Sequence, residues 1–214
     1  MHDNWDKVLF LFLGWLLATL SPIIADAIRK RREVKETRNA LLAELSELKY
    51  RLAIVCYRIE SDFGEVKRQL LQWLQPIVIE YRGPLQDETI AKMIEAQLKF
   101  TDAQLGTLAQ AKGKKSGHAL LLKRYPAPFL ESRLKTIAWL PTKVQALMLE
   151  IHTQIGVLEA ELENVQYNVR LTFDSGMSEE NRLLVEGNLN SGYRNYAKVS
   201  TTIVERISEL EQAW

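Results

Sequence analysis

Residues Val8 to Ile28 read VLFLFLGWLLATLSPIIADAI, and the reading of this stretch decides the rest of the chain. It carries one charge, Asp26, near its end. A helix rises 1.5 Å per residue, so about 20 apolar residues cross the roughly 30 Å hydrocarbon core of a bilayer. A soluble helix would need a polar face, and residues 8–18 have none. The competing reading is a cleaved signal peptide. Ala25-Asp26-Ala27 has the small-x-small pattern of a cleavage site, but the flank before the stretch holds Asp3, Asp6 and Lys7 rather than a basic run. The expectation is a transmembrane helix over 8–28.

Arg29, Lys30, Arg31 and Arg32 follow directly, then Lys35, while Lys7 and the terminal amine stand alone on the other flank. The positive-inside rule then places residues 1–7 outside and residues 29–214 in the cytoplasm, at the inner (plasma) membrane of a bacterium-like cell. The same four cations could meet anionic headgroups at about 1 kcal/mol each, or serve only as the topology signal. Gly14, Ala18, Ser21 and Ala25 are spaced by four, three and four, which puts a small-residue stripe on one helix face. Such a stripe lets membrane helices pack closely, although small residues are also common in spans that do not pair. Pro22 either kinks the helix or marks where it leaves the bilayer core.

Downstream of the basic run, Leu41, Leu45, Leu48, Leu52, Val55 and Ile59 alternate spacings of four and three. That 3.5-residue period is the seam of a coiled coil or bundle. The pattern predicts a helix to about Phe63, a break at Gly64, and a further segment from Glu65 to Ile79 interrupted by Pro76. Gly83-Pro84 closes it. A helix from Asp87 to Ala111 follows, with Asp87 as N-cap. A basic linker is expected near 112–128, ending in Tyr125-Pro126-Ala127-Pro128.

Residues 142–214 read as a long helical hairpin. Met148, Ile151, Ile155, Leu158, Leu162, Val165 and Val169 form one stripe; Leu189, Tyr193, Tyr196, Ser200, Ile203, Ile207, Leu210 and Trp214 form the other. Asp174, Ser175 and Gly176 connect them, and Ser178 is placed to cap the second helix. So short a connection makes the helices antiparallel neighbours. Gly187 to Gly192 is rich in Gly, Asn and Ser, yet the heptad phase is kept across it, so a continuous but weak helix is expected. No period-2 alternation or Asn-Gly hairpin signal supports a strand. The fold class expected is all-α: one N-terminal transmembrane helix, then an elongated antiparallel helical bundle with coiled-coil-like heptads.

Composition agrees with an anchor plus one folded unit. Of 214 residues, 47% are hydrophobic and 26% charged, too polar for a multi-pass protein and too apolar for a disordered one. The net charge of +1 gives the whole chain no nucleic-acid footprint, and nucleic acid is an unlikely partner. Charge is unevenly spread: residues 142–214 hold 6 basic and 11 acidic side chains, against 22 and 16 in residues 1–141. The single cysteine, Cys56, excludes an intrachain disulfide and reads as a small buried residue.

Motifs for chemistry are sparse. His2, His118 and His152 stand in no zinc-binding spacing, and Cys56 has no paired cysteine. Gly113-Lys114-Lys115-Ser116 resembles the end of a phosphate loop, but Leu108 stands where the first glycine is required. No catalytic residue, cofactor or metal is expected. The strongest candidate for a functional surface is the basic cluster Lys112, Lys114, Lys115, Lys123 and Arg124, which could meet an anionic lipid, nucleic acid or acidic partner, or simply be solvated. The functional expectation is a non-catalytic membrane-anchored scaffold or adaptor that self-associates or holds a cytoplasmic protein partner. The alternative is an oligomeric membrane pore or membrane-perturbing effector, as in bacterial antiphage defence. A weaker third is a bundle that binds nucleic acid or another anionic ligand.

Overall fold

A computed structural model describes residues 3–63, 65–112, 120–134, 137 and 140–214. Every regular element among them is helical: α1 (Asp3–Asp62), α2 (Arg68–Glu80), α3 (Glu88–Leu98), α4 (Asp102–Lys112), α5 (Pro128–Arg133), α6 (Thr142–Leu171) and α7 (Glu179–Ala213). The chain divides into two units, Met1–Leu42 and Ala43–Trp214, and α1 contributes residues to both.

In the first unit, α1 holds one segment long and apolar enough to cross a membrane. Its large side chains are uncovered: Phe10 is 73% exposed, Leu11 75%, Trp15 62% and Ile28 63%. Pro22 does not end the helix, which continues through it. The Thr19 hydroxyl donates to the Trp15 carbonyl at 3.0 Å, the local hydrogen bond by which a threonine satisfies itself inside a helix. Further on, Arg29 pairs with Glu33 and Arg32 with Glu36 one turn away, at 3.2 and 2.9 Å.

The second unit is built on three long helical segments. Leu45, Leu48, Leu52, Val55 and Ile59 of α1 are all buried, as their period requires. So are the α6 stripe from Met148 to Val165 and the α7 stripe from Leu189 to Leu210. The α6 stripe ends one residue early: Asn168, not Val169, is buried at the last turn, and its carboxamide nitrogen is satisfied by the Asn164 carbonyl at 2.8 Å. Helices α6 and α7 pack together with opposite sense, because Glu150 meets Arg206 while Val165 meets Gly192. The part of α1 within this unit is also antiparallel to α7: Lys49 pairs with Glu211 at 2.6 Å, and Cys56, seven residues on, reaches Ala197.

The expected helix over Asp87–Ala111 is two helices. Asp87 does cap the first, accepting from the Thr89 amide at 2.8 Å. The chain then breaks at Lys99–Thr101, and Thr101 restarts it. Its hydroxyl accepts from the Gln104 amide, while the Gln104 side chain accepts from the Thr101 amide. This reciprocal capping box satisfies two amides that would otherwise lack partners, which is why a break here is stable. Arg68 holds the junction, donating to the Leu98 carbonyl and pairing with Asp102, both at 2.9 Å. Helices α2 and α3 pack against each other. Buried Gln97 of α3 donates to the Tyr57 hydroxyl of α1 at 2.9 Å, so neither polar group is left unpaired in the interior.

Candidate functional site

Residues 120–127 have no regular secondary structure, yet they are pinned along the bundle at every few residues. Their sequence explains the form: Pro126 and Pro128 remove amide donors and push Tyr125 and Ala127 away from helical geometry. Without a helical ladder, the backbone carbonyls need other donors. Two tyrosines of α7 supply them: Tyr193 donates to the Leu120 carbonyl at 2.8 Å, and Tyr196 to the Lys123 carbonyl at 3.1 Å. Burial raises the pKa of both phenols, which keeps them protonated and able to donate.

Side chains complete the strap. Arg124 donates from Nε and Nη2 to the two oxygens of the Glu159 carboxylate of α6, at 2.6 Å each. The guanidinium holds the Glu159 carboxyl below the usual carboxylate range, chiefly through that hydrogen bond. Where the strap ends, α5 begins with Pro128, and Glu44 of α1 caps it from across the bundle. The two carboxylate oxygens of Glu44 accept from the Phe129 and Leu130 amides at 2.9 and 2.8 Å. A carboxylate is well suited to this end of a helix, where free amides and the helix dipole are both positive. The contacts run from Tyr193 at one end to Glu44 at the other. The strap therefore runs antiparallel to the part of α1 that belongs to the second unit.

Between the strap, α1 and the start of α3 is an open cleft of about 290 Å³. Tyr50, Arg51 and Arg58 of α1, Asp87 and Ile90 at the α3 N-terminus, and Leu120 to Lys123 with Tyr125 of the strap form its walls. Arg51 is held by Glu47 one turn away and lies 5.8 Å from the centre of the Tyr125 ring, within cation–π range. Arg58 and Lys123 are exposed and form no ion pair among the described residues. The Tyr50 side chain is stacked on Tyr81 at 4.2 Å, and its buried hydroxyl lies beside the Asp87 backbone. Asp87 remains a carboxylate, held below its ordinary pKa by the Thr89 amide it accepts from.

The basic cluster expected from sequence is thus divided. Lys123 faces the cleft, whereas Arg124, the next residue, is committed to Glu159. Lys112 closes α4, and Lys114 and Lys115 lie outside the described residues. Sequence reasoning missed Arg51 and Arg58, because nothing local says that a strap some 70 residues later brings Lys123 beside them. Gly14, Ala18, Ser21 and Ala25 are all exposed, and a Cβ at Gly14 would meet nothing within 4 Å. Lys30 and Arg31 are exposed and unpaired among the described residues, while Arg29 and Arg32 are paired as above.

Cys56 faces Ala197 and Thr201 of α7, its thiol 3.4 Å from the Ala197 carbonyl. Burial pushes its pKa up to about 12, so it is a packing residue and not a thiolate nucleophile at neutral pH. No group of three or more metal-ligating side chains is gathered among the described residues. No known family, curated protein or solved structure matches the chain.

Proposed function

We propose that this chain is a non-catalytic, membrane-anchored helical scaffold, inserted through residues 8–28 and presenting its bundle at the cytoplasmic face. One observation carries the reading: Leu9 to Leu13, Trp15, Leu17, Leu20, Ile24 and Ile28 are exposed, with Phe10, Leu11 and Trp15 each more than half uncovered. Fully burying one such side chain is worth about 1.5–3 kcal/mol, so a run of them left in water would be strongly unfavourable. A bilayer removes that cost, and the cations of Lys30 and Arg31, unpaired among the described residues, suit the anionic inner leaflet. The bundle supports the scaffold role by its construction. Ion pairs tie α7 to both α1 and α6, and the strap is fixed to all three, which suits holding a partner more than it suits catalytic opening.

A second reading is an oligomeric membrane effector. The exposure of Gly14, Ala18, Ser21 and Ala25, with open space around Gly14, leaves that face free to receive an identical helix. The mass of the complex in detergent, paired with ion leakage from liposomes, separates the two. The scaffold reading expects a small complex and intact liposomes. A ring of many subunits that leaks would replace it with the effector reading. Changing Gly14 and Ala18 together to Leu tests the stripe, and assembly that survives both changes would exclude it as the contact.

A further inference from the structure

The cleft beneath the strap has the make-up of an anion site. Arg51, Arg58 and Lys123 line it against one carboxylate, Asp87. Asp87 already spends an oxygen on the α3 N-terminus, and Arg51 is shared with Glu47. Arg58 and Lys123 come from elements far apart in the chain and converge on one concavity with no protein carboxylate paired to either among the described residues. Like charges brought together cost free energy unless an anion sits between them. Tyr50 adds an aromatic wall to the same cleft, while its hydroxyl is sealed from solvent beside the Asp87 backbone.

The remaining lining is apolar or aromatic. Leu85, Ile90 and Leu122 form the walls, and the Tyr125 ring lies beside Arg51. A free inorganic ion would leave these surfaces wet, while the volume of about 290 Å³ lies at the lower limit for small-molecule sites and leaves no room for a two-chain lipid. We propose that the cleft binds a small soluble organic anion, with its phosphate or carboxylate group between Arg58 and Lys123 and a ring or short apolar body against Tyr125 and the leucines. This assignment stands independently of the membrane reading, because all its residues belong to the Ala43–Trp214 unit.

The test is calorimetric titration of the full chain, held in phosphatidylcholine nanodiscs, with phenyl phosphate, inorganic phosphate and phenol. Phenyl phosphate is expected to bind one to one, more tightly than inorganic phosphate, and phenol not to bind. Arg58→Ala and Lys123→Ala, both surface changes, should each weaken phenyl phosphate about tenfold, the loss expected for one charge-assisted contact. Arg170→Ala, an exposed cation on α6, should leave binding unchanged; circular dichroism checks that all three variants are folded. In these nanodiscs the proposal is overturned by no saturation into the millimolar range, by weakening by Arg170→Ala equal to that of the cleft variants, or by no weakening by either cleft variant. Nanodiscs containing phosphatidylglycerol form the last arm. Unchanged phenyl phosphate affinity supports a soluble ligand, and competition by the lipid would overturn it in favour of a headgroup.

Discussion

Gly192 of α7 lies against Val165 of α6 so closely that a Cβ on Gly192 would fall 2.8 Å from the Val165 Cγ2 atom. The glycine sets the closeness of the hairpin here, and α7 runs on through the Gly187–Gly192 stretch despite its low helix propensity. Gly192→Ala should destabilise the bundle by about 1–3 kcal/mol, as overpacking does in a filled interior. Gly187, one and a half turns earlier, faces open space, and Gly187→Ala should stabilise by up to about 1 kcal/mol. Thermal unfolding of the two variants should therefore move in opposite directions; a shared direction would contradict the packing.

The cap that Glu44 places on α5 can be removed without disturbing the hydrophobic stripe of α1. Glu44→Ala should cost about 1–2 kcal/mol, the usual range for a lost cap. Hydrogen exchange at the Phe129 and Leu130 amides should quicken in that variant more than exchange at α6 or α7. Glu44→Gln, which keeps one acceptor oxygen, should fall between.

These relationships also show where sequence reading stops. The seams of α1, α6 and α7 were legible because each is a local period whose burial needs no knowledge of the partner: Leu45, Ile151 and Ile203 had to face inward wherever they packed. The Asp87 and Ser178 caps were legible for the same reason. The break at Thr101 was readable in Thr101-Asp102-Ala103-Gln104, which has the spacing of a capping box, but the surrounding apolar positions suggested one unbroken helix. The strap was not readable. Its prolines announce a break, but its partners Glu44, Glu159, Tyr193 and Tyr196 lie 35 to 86 residues away, and no local pattern encodes pairings of that range.

Acid should loosen the strap. Pairing with Arg124 lowers the Glu159 pKa below its ordinary carboxylate value, so the pair adds stability above the unfolded value of about 4.3 and loses it as pH falls through the folded value. Protection factors of the strap amides, which correct for the slower intrinsic exchange in acid, should fall on acidification through that range. In Glu159→Gln the strap should already exchange faster at neutral pH and show a smaller change on acidification. Both partners are partly exposed, so high salt should weaken the effect.

Cys56 should behave as an interior group. Native protein at neutral pH should react with a thiol reagent far more slowly than denatured protein, since the thiol is 2% exposed and its pKa is pushed up to about 12. Cys56→Ser should lower the thermal midpoint, because it places a more polar group against Ala197 and Thr201.

The membrane assignment of residues 8–28 is tested most directly by protease protection of the full chain, with a tag after Trp214, in intact spheroplasts and in inside-out inner-membrane vesicles. The account predicts that the tagged bundle stays with the membrane through alkaline extraction, survives protease in spheroplasts and is cleaved in inside-out vesicles. Release of the chain into the soluble fraction, or loss of the tag in intact spheroplasts, would contradict it.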